Sequence, residues 1–234
     1  MFNDGACEAA ANPVQDSRKI AYENRTRIYD LVHRIITAVD EASKKEPEAV
    51  DGHITAAARR RSEAYDEINS SSDEVFQTNL YDWYLSQGWS DRLLDIASAY
   101  VVSYLERKST EDVAHADLLW RYYAHYHNYL QAAAVQFQLA QSGFDLSLEE
   151  RIEYLSRART NASTKLNGMA DLGGSRRSRQ ELLRDITDLL DIANIQEDLV
   201  QRMKADSRLT PERAPELLKP LTGRVLPLSE VSGT

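Results

Sequence analysis

The sequence predicts an all-α protein of eight or nine helices. Three observations carry that reading. Glycine and proline are scarce, 9 and 6 in 234 residues, about half the average usage of roughly 12%. A sandwich or barrel needs more turn residues than that between its strands. Apolar residues recur at helical spacing through most of the chain, with no strong alternating pattern. Helix-start and helix-stop signals fall between these periodic segments.

Ile28, Leu31, Val32, Ile35, Ile36 and Val39 form one stripe of a long amphipathic helix. It begins near Val14, behind Pro13, and fades in the charged stretch before Pro47. A second helix follows Asp51 and runs to about Ile68, with Ala56, Ala57 and Ala64 on its core face. Ser71 and Glu74 have the spacing of a capping box and open a third helix, which carries Val75, Phe76, Leu80, Trp83, Tyr84 and Leu85. Gly88 ends it as a left-handed glycine would. Ser90 is placed to cap a short helix holding Leu93, Leu94 and Ile96, and another short helix carries Tyr100, Val101, Tyr104 and Leu105.

Ser109 to Asp112 reads as the next helix start, leading into Leu118–Tyr123. An alanine-rich helix runs from Tyr129 to Gln141 and closes at Gly143. Ser147 with Glu150 makes a second capping box, ahead of Leu148, Ile152, Leu155 and Ala158. Asn167 to Ser175, with three glycines, is the best internal loop. A long helix then runs to Ala205. Thr210-Pro211 caps a final short helix, Glu212 to Lys219, which should stop before Pro220. Residues 1–12 read as a fraying leader, 13–220 as one helical domain and 221–234 as an extended tail. A compact bundle and an irregular α-solenoid of antiparallel helix pairs both fit, since helix pairs recur at roughly 30–45 residues.

Charge and composition narrow the function. The net charge of −9 argues against nucleic acid as the main ligand. Cys7 is the single cysteine, so no disulfide framework or multi-cysteine zinc site is expected. No apolar run reaches the roughly 20 residues of a membrane span, and the first 13 residues lack a signal-peptide core. The chain therefore reads as soluble and intracellular. His125 and His127 stand about 200° apart on a helix and suit a surface better than a shared metal. Glu111-Asp112 and Glu149-Glu150 sit at helix starts, where carboxylates serve the helix terminus. Gly168 to Ser175 lacks phosphate-loop spacing, and Arg59-Arg60-Arg61 points in several directions as a solvated face. No catalytic, metal or cofactor motif emerges, so neither an enzyme nor a cofactor is expected.

Tyrosine is the unusual residue, with 12 against 4 phenylalanines and 3 tryptophans. Tyr122, Tyr123, Tyr126 and Tyr129 crowd into eight positions. They suit helix packing with hydroxyls at the rim, or a peptide-binding groove completed by Tyr100 and Tyr104.

Leu80–Leu85, Leu93–Ser98, Asp117–Tyr123, Ala132–Ala140 and Leu146–Ala158 follow one another as consecutive motifs of a single protein class. In them the chain resembles the large inner-ring scaffold nucleoporins, the 155/170-kilodalton class of the nuclear pore complex. The likeness is specific from about Phe76 to Ala162 and extends over Ser178 to Met203. It implies the C-terminal α-solenoid of a longer protein whose N-terminal β-propeller, with its membrane contact, is not in this sequence. It also implies a structural role at the nuclear envelope: supporting nucleocytoplasmic transport by docking disordered segments of linker nucleoporins, beside other inner-ring nucleoporins. As an isolated fragment the chain is expected to be monomeric. A helical adaptor of another coat or trafficking assembly is the alternative.

Overall fold

The computed structural model describes residues 13–46, 54–164, 173–206 and 214–226. Among them are ten helices and no strand: α1 (Pro13–Lys45), α2 (Ala56–Asn69), α3 (Glu74–Ser86), α4 (Asp91–Leu94), α5 (Ala99–Lys108), α6 (Val113–His125), α7 (Tyr129–Gln141), α8 (Leu148–Ser163), α9 (Gly173–Ala205) and α10 (Ala214–Thr222). The count is one above the expected eight or nine, and it includes the short helix predicted behind Ser90. The chain divides into two compact units, residues 1–89 and 90–234.

In the first unit α2 and α3 each pack on α1. The tie to α2 is Asp40, buried on α1. It accepts from Arg61 Nε at 2.7 Å and from the Tyr65 hydroxyl at 3.1 Å. Arg61 thus leaves the solvated face expected for the arginine triplet, while Arg59 and Arg60 stay exposed. Only Ala57 of the predicted alanine face is buried, and Ala56 is exposed. The tie to α3 is aromatic: His33 stacks on Trp83, with ring centroids 4.2 Å apart, and Tyr29 packs on Phe76.

The start of α3 differs from the predicted capping box. Asp73, not Ser71, is the N-cap, and its Oδ1 accepts from Val75 and Phe76 N–H at 3.0 and 3.1 Å. The backbone stays extended through Asp73, so Glu74 is the first helical residue and sits too early to close a box. Gln77, 1% exposed, then pins the α2–α3 corner by donating to the carbonyls of Ile68 and Ser71. Gly88 ends α3 as predicted, at φ 72°. Gly88 N–H donates to Leu85 O and Trp89 N–H to Tyr84 O, the paired bonds of a Schellman motif.

In the second unit α5 through α10 pack in chain order, each chiefly on its sequence neighbours, and the short α4 packs on α6. That nearest-neighbour order is the order of an α-solenoid. One core of it joins Ala133 and Ala140 of α7, Leu148, Leu155, Ala158 and Ala162 of α8, and Ile186, Leu190 and Ala193 of α9. Five of those nine residues are alanine, which lets the helices approach closely.

The α7–α8 turn is closed by Arg151, 2% exposed. Its guanidinium donates to four carbonyls: Ala140, Ser142, Phe144 and Leu146, at 2.8 to 3.3 Å. Burial holds its pKa below the usual arginine value. Beside it the Ser147–Glu150 capping box forms in full, with Glu150 N–H on Ser147 Oγ at 3.2 Å and Ser147 N–H on Glu150 Oε2 at 2.8 Å. These bonds hold the Glu150 carboxyl below the ordinary glutamate range.

Other boundaries differ as well. α9 begins at Gly173, inside the predicted loop, whose residues 167–172 lie outside the described residues. α10 runs through Pro220 to Thr222 instead of stopping before the proline. Packing overrides the lost N–H. Leu221 is buried against Val200, and the fully buried Gln196 of α9 donates to Leu221 O and Arg224 O and accepts from Leu226 N–H. The leader, Cys7, Thr210-Pro211 and residues 227–234 also lie outside the described residues.

Arg151→Met should cost about 3 kcal/mol or more in urea unfolding, because four buried carbonyls lose a charged donor. Ser147→Ala should cost about 1 kcal/mol. The folded pKa of Glu150 is lowered, so its stabilisation is complete above the ordinary glutamate range and is lost as pH falls through the folded value. The stability gap between wild type and Glu150→Gln should therefore close in acid and hold steady from pH 6 to 8.

Candidate functional site

The six tyrosines of interest lie on α5, α6, α7 and the α6–α7 turn. The structure splits them by role. Tyr104 is 2% and Tyr122 4% exposed. The Tyr122 hydroxyl donates to Ile96 O at 2.9 Å and accepts from Ser98 N–H at 3.2 Å. It ties α6 to the chain between α4 and α5, and burial raises its pKa. Ser98 in turn caps α5 by accepting from Tyr100 N–H. Tyr123 is half-buried, and its hydroxyl donates to Glu106 of α5 at 2.8 Å. Burial first, and that carboxylate second, push its pKa to about 12. Tyr126 tilts on Tyr122 with centroids 4.7 Å apart, and Tyr100, Tyr126 and Tyr129 are half-buried.

The corner that carries Tyr126 and Tyr129 is set by an unusual residue. His127 follows the end of α6 at φ 60°, the left-handed region, where Gly88 stands at the end of α3. Its N–H donates to Ala124 O, and Asn128 N–H donates to Tyr123 O at 2.7 Å, repeating the Schellman pattern. The His127 ring reaches the Tyr129 hydroxyl at 3.0 Å. His125 and His127 are thus a helix end and a turn. Among the described residues no three His, Cys, Asp or Glu side chains converge on a metal site, and no helix is long and apolar enough to cross a membrane.

At the opposite end of the α6–α7 hairpin lies an open apolar groove of about 460 Å³. Ser109 and Thr110 of the α5–α6 turn form one wall, Ala116 and Leu139 the floor, and Val135, Gln138 and Phe144 the other side. The buried Arg151 shapes this rim, because it holds the carbonyls of Ser142 and Phe144. Asp112 fixes the near end by capping α6 through His115 N–H at 2.9 Å. The sequence reading missed this groove. Phe144, an aromatic in the short α7–α8 loop beside Gly143, was its one local sign.

Further bonds hold the hairpin against α8. Asp117 accepts from Trp120 Nε1 at 2.6 Å and from the Tyr154 hydroxyl at 3.0 Å. Arg157 lies over the Trp120 ring. Gln136, fully buried on α7, accepts from Asn161 of α8 at 2.8 Å.

The residues that carry the family likeness are therefore largely the framework: Leu80, Tyr81, Leu93, Leu118, Leu119, Ala132 and Leu155 are all buried. Comparison with known families decides the matter. The pattern of the non-repetitive/WGA-negative nucleoporin C-terminal family matches residues 3–231. The chain belongs to that family. It is 42% identical to nucleoporin NUP170 of Chaetomium thermophilum over 98% of this chain. It is 33% identical to nucleoporin NUP170 of Saccharomyces cerevisiae over 97%. The chain spans only about 15% of the length of either relative. Among solved structures it matches the C. thermophilum Nup170 CTD–Nup145N complex at 41% identity and a TM-score of 0.80, covering 96% of this chain and 41% of that one. The Nup170 CTD solved alone matches with a TM-score of 0.77, over 92% and 38%.

Tyr122→Phe should cost about 1–2 kcal/mol in chemical denaturation, because it strips a buried carbonyl and N–H of their partner. Tyr126→Phe should stay within about 0.5 kcal/mol. His127→Gly should gain about 1 kcal/mol by relieving a left-handed side-chain residue, as read from the same unfolding curves.

Proposed function

We propose that this chain is a piece of the helical scaffold of the nuclear pore complex inner ring, and that it docks a short disordered segment of a linker nucleoporin. The observation that supports this most strongly is its likeness, across 96% of its length, to a nucleoporin domain solved together with Nup145N. The location follows from the same relatives: the nuclear envelope, in support of nucleocytoplasmic transport and beside other inner-ring nucleoporins.

The groove between the α5–α6 turn and α7 is the docking surface that the geometry favours. A disordered segment loses conformational entropy on binding, so its affinity must come from a few apolar anchors. The groove has room for one or two such side chains over Val135, Leu139 and Phe144. The half-exposed Tyr126 and Tyr129, at the far end of the same hairpin, are a second surface, favoured by aromatic area with polar tips. The role is non-enzymatic. In each adjacent carboxylate pair one member, Asp112 or Glu150, is engaged in a helix cap.

Calorimetry with a peptide from the linker nucleoporin corresponding to Nup145N tests both surfaces. Val135→Asp with Phe144→Ala should weaken binding by about tenfold or more. Tyr126→Ala with Tyr129→Ala should change it less. If the tyrosine pair carries the loss, docking moves to the aromatic corner. If the folded wild-type chain fails to bind any linker segment, the docking role is wrong.

A further inference from the structure

The groove between the α5–α6 turn and α7 opens where two helices end. Ser109 and Thr110 follow the last residue of α5, and Ser142 and Gly143 follow the last residue of α7. A helix C-terminus carries partial negative charge and carbonyls without an intrahelical donor. The three hydroxyls of the rim serve those carbonyls. Ser109 Oγ donates to Glu106 O, Thr110 Oγ1 to Arg107 O and Ser142 Oγ to Leu139 O, at 2.7 to 2.9 Å. A hydroxyl has one proton to give, so each of the three offers only lone pairs to whatever enters.

No charged side chain lines the groove, but its borders are acidic. Glu111 and Asp112 follow Thr110 on one wall, and Asp145 follows Phe144 on the other. Beyond Asp145 the first turn of α8 adds Glu149 and Glu150. Glu111 and Asp145 are exposed. The cations of the same borders are engaged within the chain. Lys108 pairs with Glu111 at 3.3 Å, and Arg107 turns back over the Tyr104 ring. Arg151 is buried and gives its protons to the α7–α8 corner.

We infer that, given the docking role proposed above, this groove selects linker segments that carry a lysine or arginine beside an apolar anchor. A rim of lone pairs and helix-end carbonyls requires donors from its occupant. An ammonium brings three and a guanidinium five, with a positive charge that meets carboxylates on both walls. An acidic flank would face like charge on both sides, which costs affinity and association rate. Drawing Glu111 away from Lys108 costs little, because an exposed ion pair is weak. The apolar floor holds the anchor, and the rim decides which anchors are accepted.

Calorimetry at about 50 and about 300 mM salt tests this with the peptide corresponding to Nup145N, because screening weakens exposed charge pairs. Binding should weaken at least about fivefold at the higher salt. Replacing the lysine or arginine beside the anchor by glutamine should cost about as much at low salt and remove the salt dependence. Glu111→Lys with Asp145→Lys should weaken the unaltered peptide at low salt and leave the glutamine peptide unaffected. Neither residue caps a helix, and Glu111→Gln with Asp145→Asn should act in the same direction with a smaller effect. Val135→Asp with Phe144→Ala reads the groove separately. If that pair abolishes binding while salt, the glutamine peptide and the charge variants change nothing, the groove stands and the inference is overturned. A bound segment with no lysine or arginine within about three residues of its anchor, roughly 10 Å of extended chain, also overturns it. If Val135→Asp with Phe144→Ala changes nothing, the groove reading fails and takes the inference with it.

Discussion

A helical array fails first at its corners. Each helix end leaves up to four carbonyls without an intrahelical donor, and a tight corner hides them from water. The α7–α8 corner meets that demand with one side chain. Arg151 reaches back from the first turn of α8 and takes four alternate carbonyls in the planar fork of its guanidinium. A lysine has the charge but not the fork. The guanidinium draws its stabilisation from backbone dipoles, with the nearest carboxylates, Asp145 and Glu150, adding a favourable field. The position of α8 on α7, the alanine-lined core behind it and the Phe144 rim of the groove all follow from this one clasp.

The same solution recurs at other corners with a milder group. Gln77 takes carbonyls at the α2–α3 corner, and Gln196 takes two carbonyls and an N–H where the chain leaves α10. Tyr122 does the equivalent between α4 and α5. Each is a buried polar side chain satisfied mainly by backbone. Such contacts fix the angle between successive helices without needing contacts far along the chain. That is what an array of nearest neighbours requires, and it explains why the segments that carry the family likeness are framework rather than surface.

Local chemistry was legible in the sequence and distant chemistry was not. Ser147 with Glu150, Asp112 and Gly88 were readable because their partners lie within four residues. Ser71 was misread by two places, since only the backbone angle at Asp73 decides which residue caps. Arg61, Arg151 and Gln196 look like surface residues in the sequence, and each is defined by partners up to 30 residues away. Tyrosine density drew attention to the α6–α7 hairpin but could not tell the buried Tyr104 and Tyr122 from the half-exposed Tyr126 and Tyr129. The apolar stripe of α1 lies on one side of an amphipathic helix, yet Ile28, Leu31 and Ile35 are exposed while Ile36 is fully buried. Periodicity reports which residues share a face, not what covers it. Pro220 shows the converse, a local stop signal overridden by the burial of Leu221.

The central claim is that a framework clasped at its corners presents the α6–α7 hairpin as a rigid docking edge. Methyl-labelled NMR of the chain, titrated with the linker segment corresponding to Nup145N, tests it most directly. The account predicts shifts at Val135, Ala116 and Leu139, around the groove, while the buried methyls of Leu155, Ala158 and Ile186 stay in place. Shifts spread through that core, or confined to methyls away from both ends of the hairpin, would contradict it.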